Sequence, residues 1–169
     1  SDLVSDDGGP PLGIGELVNI VVQIIFAGHE TTAGLITTAA LALARDPALA
    51  AAVRTDAAVR DGVVEESLRT SSIVHSMFRY ALADVEHAGV TIRRGDRVQL
   101  VWISGNHDES HFADPRRFDA TRKTSHIAFG HGVHYCLGAP LARLEAPIAV
   151  EALARRPPGL RLADDRPLA

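Results

Sequence analysis

The chain has 169 residues, a formal net charge of −4, and a composition that is 46% apolar and 22% charged. These values fit one soluble globular domain, or part of a larger one, and exclude an intrinsically disordered chain. The acidic balance gives no basis for nucleic-acid binding. The lone cysteine, Cys136, rules out an internal disulfide, and the N-terminus lacks the basic-then-apolar pattern of a secretory signal, so a reducing cytoplasm is the expected compartment.

In chain order, residues 1–13 are acidic and then Gly/Pro-rich, and read as a loop. From Gly15 to about Arg45 runs a proline-free stretch, apolar on nearly all sides, that predicts a helix roughly 45 Å long. His29, Glu30, Thr31 and Thr32 fall at its middle, where a lipid environment would penalise charge. The expectation is therefore a buried central helix, with no membrane involved. Asp46-Pro47 opens a short second helix, and residues 59–70 form an amphipathic third. Residues 78–102 turn β-branched, with turn signals at His87-Ala88-Gly89 and Arg94-Gly95-Asp96, which predicts a small sheet of short strands. A long irregular stretch covers 104–135, of a length that usually carries function. A last helix is expected from about Gly138 to Arg155, followed by turn and strand. The fold class is thus mainly α with a small β-sheet.

The chemistry centres on residues 129–138, "FGHGVHYCLG". A lone cysteine is most often a small buried hydrophobe. Here Gly130, Gly132 and Gly138 allow a close backbone approach to something flat, and the helix after Gly138, with Pro140 in its first turn, aims its amide-rich end at the sulfur. That arrangement favours thiolate. Zinc held by His131, His134 and Cys136 is one alternative, but no fourth ligand stands at a familiar spacing. A single thiolate beneath open space suits haem iron better.

Phe129-Gly130-x-Gly132-x-His134-x-Cys136-x-Gly138 resembles the cysteine-loop signature of cytochromes P450. Ala27-Gly28-His29-Glu30-Thr31-Thr32 resembles that family's oxygen-activation motif, Glu66-Ser67-Leu68-Arg69 its E-x-x-R motif, and residues 106–119 its meander. The resemblance covers about residues 1–168, is closest to soluble bacterial members, and makes 1–169 the C-terminal haem-binding part of a longer domain. It implies a partial cytochrome P450 fold without the N-terminal helices and the final hairpin. It also implies haem b as cofactor and Cys136 as the metal ligand, with Phe129, Gly130, Gly138, Ala27 and Gly28 lining the cofactor and His134 and Arg79 facing its propionates. Glu30 and Thr31 become the catalytic pair, relaying protons to dioxygen. Thr32 is expected instead to bond back to its own helix. Glu66 and Arg69 would form a buried network joined by Arg117.

The implied activity is O2-dependent hydroxylation or epoxidation of a small organic substrate by a haem-thiolate monooxygenase. Ile24, Ala27, Thr31 and Val74 are the expected pocket-facing residues. Electrons would come from a ferredoxin or flavodoxin-type donor docked on Arg116, Arg117, Arg122, Lys123 and Arg143. The alternative is a truncated, non-catalytic module that binds haem or a partner in a biosynthetic complex. Departures from the family pattern are Ile73 in place of a common proline, His107 in place of a frequent arginine, and Pro147 inside the last helix. An uncovered central helix is expected to drive self-association.

Overall fold

The computed structural model describes residues 12–123, 125–156 and 160–162. The expected N-terminal loop falls mostly, and the expected C-terminal strand partly, outside the described residues; 160–162 have no regular structure.

Helix α1 spans Ile14–Arg45, begun by the Glu16 carboxylate accepting the Gly13 N–H. Asp46 ends it and caps α2 (Pro47–Val53), its side chain accepting from the amides of Ala48 and Leu49. Asp56 does the same for α3 (Ala57–Ser71), which stops at Ser72 in the left-handed region. Four strands follow: β1 (Ser76–Tyr80), β2 (Val85–His87), β3 (Val90–Ile92) and β4 (Arg97–Val101). They do not form one sheet. β1 pairs antiparallel with β4, and the β2–β3 hairpin, turning at Ala88-Gly89, stands between them in sequence as a separate pair. The single turn of α4 (Trp102–Gly105) leads into the irregular stretch, and a 3-10 turn at Gly132–His134 precedes α5 (Ala139–Arg155). Pro147 lies inside α5 without ending it.

The core lies where α1, α3 and α5 meet. Leu35, Ala39 and Leu43 recur every fourth residue on α1, and Ala146, Val150 and Ala154 do so on α5. This spacing puts each set on one face of its helix. Val53, Val63, Val64 and Leu68 fill the space between, with Phe118 and Phe129 packed at the edges. Ile73 packs against α1, its side chain 3.1 Å from the position a Cβ on Gly34 would take. At Gly62 the irregular stretch comes closer still: a Cβ there would stand 1.9 Å from the Ala120 carbonyl oxygen, so only glycine permits this contact between α3 and the meander.

The expectation of an enclosed central helix holds for the C-terminal half of α1 only. Residues 18–30 are exposed, with Phe26 at 73% and Ile24 at 66% of full exposure. By length and composition α1 is long and apolar enough to cross a membrane. His29 and Glu30 lie at its middle, where a lipid environment would penalise charge, and its second half packs against α3 and α5.

Candidate functional site

The cysteine loop is shaped by its own backbone. The Cys136 N–H donates to the Phe129 carbonyl at 2.9 Å, and the Gly130 N–H to that of Ile127 at 2.9 Å. Gly130 is buried at φ +76°, and a Cβ there would stand 3.3 Å from the Trp102 ring. A larger residue would be strained both in its backbone and against the indole. Cys136 itself is exposed and its thiol is free. A Cβ on Gly138, the residue that opens α5, would stand 3.8 Å from the Cys136 sulfur, and the Cys136 carbonyl accepts the Ala139 N–H. Val133 and Leu137 beside it are almost wholly exposed. A lone, open sulfur amid exposed apolar side chains is a donor set that suits a flat apolar macrocycle. Among the described residues no three His, Cys, Asp or Glu side chains converge as a metal site, His131, His134 and Cys136 included.

Behind the loop is a buried polar network. Arg69 grips the Glu66 carboxylate through Nε at 2.8 Å and Nη2 at 2.7 Å, and both side chains are essentially inaccessible. Arg69 Nη1 donates to the Asn106 carbonyl at 2.7 Å, and its guanidinium stacks over Phe112. Asn106 extends the network at both ends of its side chain. Its Nδ2 donates to Ser72 Oγ at 2.7 Å, and its Oδ1 accepts the Ile127 N–H at 2.8 Å, one residue before the loop turns. The Asp119 N–H reaches Glu66 Oε1 at 3.0 Å.

The second cation of this network is Arg122 rather than Arg117. Arg122 Nε approaches Glu66 Oε1 at 3.4 Å and its other nitrogens donate to the carbonyls of Ala113 and Asp114. Arg117 contributes only its carbonyl, which accepts from Arg69 and Arg122. The register of an irregular segment carries no periodicity from which this choice could be read. Of the expected docking cations, Arg122 and Arg143 are committed to internal carboxylates, while Arg116, Arg117 and Lys123 are exposed.

On α1, Ala27, Gly28 and Glu30 are exposed and a Cβ on Gly28 would meet nothing. The hydroxyl that bonds back along the helix is that of Thr31, to the Ala27 carbonyl at 2.5 Å, a role expected for Thr32. Arg79 is half-buried in β1 and donates to the Phe78 carbonyl, and His134 is exposed in the 3-10 turn. His107, the departure noted in the sequence, places Nδ1 2.9 Å from the Ile103 carbonyl.

Sequence reasoning missed Glu65. Both its oxygens are held by Arg143, through Nε at 2.7 Å and Nη2 at 3.0 Å, and His126 Nε2 lies 3.0 Å from Oε2. Partial burial alone would raise its pKa, but the hydrogen bonds from His126 and Arg143 outweigh that and lower it to about 2. The same pairing pushes the Arg143 pKa up.

Comparison with known proteins bears on the family and the fold. The sequence profile of the family described as Cytochrome P450 matches residues 3–156. The chain is 44% identical over 159 residues to Cytochrome P450 107B1 of Saccharopolyspora erythraea, covering 93% of this chain and 39% of that protein. It is 45% identical over 160 residues to Cytochrome P450 monooxygenase PikC of Streptomyces venezuelae, covering 94% and 38%. Among solved structures, CYP108D1 of Novosphingobium aromaticivorans superposes with a TM-score of 0.83 at 40% identity, over 89% of this chain and 37% of that one. The chain thus spans about two-fifths of the length of the curated relatives it matches. With its free thiol in the cysteine loop and its buried Glu66–Arg69 pair behind it, the chain belongs to the cytochrome P450 family.

Proposed function

We propose that the protein carrying this chain is a haem-thiolate monooxygenase, in which the Cys136 thiolate would hold the iron of haem b. The exposed, free thiol on a glycine-shaped loop at the start of α5 carries this reading. The bound haem would supply O2 activation, with thiolate electron donation favouring O–O cleavage. Overall, one oxygen atom enters a small organic substrate as a hydroxyl or epoxide. The other leaves as water, with two electrons from a ferredoxin or flavodoxin-type donor and two protons from solvent.

The chain's own residues divide the remaining work. The Phe129 carbonyl holds the Cys136 backbone amide, and Gly130 and Gly138 keep bulk away from the loop and the sulfur. His134 and Arg79 supply donors for propionates. Glu30 exchanges protons with solvent, and the Thr31 hydroxyl, its own proton donated to the Ala27 carbonyl, presents its lone pairs to a proton-carrying water beside the uncrowded Gly28. Ile24, Ala27 and Val74 present apolar surface to a substrate. Arg116, Arg117 and Lys123 present positive charge to an acidic electron donor. The kinship with bacterial proteins supports a cytoplasmic location.

The test is the absorption spectrum of the reduced, CO-treated protein before and after Cys136→Ser. The parent is expected to give the thiolate signature and the variant to lose it, because a serine alkoxide is hard to form. An unchanged spectrum in the variant refutes the assignment. Turnover with an electron donor then separates a monooxygenase from a haem-binding module without catalysis.

A further inference from the structure

We propose that Glu65 is a positioning residue of the cysteine loop: through Arg143 and His126 its carboxylate ties both flanks of the loop to α3, and so tunes the Cys136 sulfur as a ligand. This rests on the reading of Cys136 as the haem thiolate.

Glu65 and Glu66 are neighbours in sequence but about 100° apart around α3. Glu66 points into the buried network, whereas Glu65 lies partly open toward α5 and the loop. The bidentate fork fixes the plane of the Arg143 guanidinium. Held there, the guanidinium stacks over the Phe129 ring at 4.7 Å and its remaining nitrogen, Nη1, donates to the Tyr135 hydroxyl at 3.1 Å. Phe129 supplies the carbonyl that the Cys136 amide bonds, and Tyr135 adjoins Cys136 in the chain.

The other flank is held through His126. Its Nδ1 accepts the Ala128 N–H at 3.2 Å, so the proton belongs on Nε2, which donates to Glu65 Oε2. One carboxylate thereby orders residues 126, 128, 129 and 135 around the sulfur. Without it, Arg143 would keep its charge but lose the contact that sets its plane, and the Phe129–Cys136 bond would lose its outer support. Groups of this kind, one step removed from a metal ligand, set its donor strength.

The experiment compares the parent holoprotein with Glu65→Gln, Glu65→Asp, Arg143→Lys and Tyr135→Phe. It reads the reduction potential and the share of the reduced CO complex in the neutral-thiol form. Glu65→Gln is expected to raise that share at least three-fold and shift the potential positive. Arg143→Lys, which keeps charge but loses the fork, should change in the same direction. Glu65→Asp should recover part of the parental value. A parental spectrum and potential in Glu65→Gln overturn the proposal. If that variant does not retain haem, Arg143→Lys and Tyr135→Phe decide, and parental values in both overturn it. A parent without a thiolate spectrum would instead refute the assignment of Cys136.

Discussion

Glu66→Ala tests the buried network directly. In the parent, Glu66 accepts four hydrogen bonds: two from Arg69 at 2.8 and 2.7 Å, one from the Asp119 amide at 3.0 Å and one from Arg122 at 3.4 Å. Truncation leaves the Arg69 guanidinium fully buried, with carbonyl contacts to Asn106 and Arg117 but no counter-charge. Removing one partner of a buried ion pair costs about 3–5 kcal/mol. A whole domain is stable by only about 5–15 kcal/mol, so the loss would be conspicuous. Chemical denaturation of the holoprotein, followed by helical circular dichroism, should show the unfolding midpoint falling by that equivalent with little change in slope. Limited proteolysis should cut first near Asp119–Arg122, the segment that loses its anchor. The same i, i+3 spacing on a helix surface would contribute only about 0.3–0.5 kcal/mol. A loss below about 1 kcal/mol, on the scale of an exposed ion pair, would therefore refute the claim that burial makes this pair structural.

In the complete protein, Thr31→Ala should keep the thiolate spectrum but release more peroxide per electron consumed; equal coupling would leave Thr31 a packing role only. Glu65 binds protons more weakly folded than unfolded. Its contribution to stability should therefore be complete above about pH 4.5 and disappear as the pH falls through about 2; denaturation midpoints in that window should fall less in Glu65→Gln. The 169-residue chain on its own should self-associate, since leaving about 400 Å² of apolar surface in water forfeits about 10 kcal/mol. A compact haem-loaded monomer in size-exclusion chromatography with light scattering would contradict that.

Legibility in the sequence followed periodicity. The extent of α1 could be read from an apolar run without proline, and the Glu66–Arg69 pair from its helical spacing, because both depend on local repeats. The cysteine loop could be read because glycines at fixed offsets mark a backbone that only they can follow. Long-range choices were hidden. Arg122 and Arg117 are equally plausible partners for Glu66 until an irregular chain is given its path. Glu65 beside Glu66 reads as a redundant charge until α5 brings Arg143 against it. The split into two strand pairs was hidden for the same reason, since β1 skips the intervening hairpin to reach β4. That α1 would be left partly uncovered was expected from its all-round apolar surface, but that the exposure falls on residues 18–30 was not legible, because an apolar helix does not name what buries it.

Mechanically, α1 is a beam clamped at one end. Its grip, from Leu35 to Leu43, is only about 12 Å long, whereas the overhang from Leu35 back to Ile14 is about 32 Å. Leverage of nearly three to one follows, so a shift of a few tenths of an ångström across the clamp swings the free tip by about 1 Å. Repacking Leu35, Ala39 or Leu43 would therefore displace Ile24 and Ala27, which lie partway along the overhang, without any of those core residues touching them. In this chain, a core substitution on α1 would thus be read at the far end of the helix.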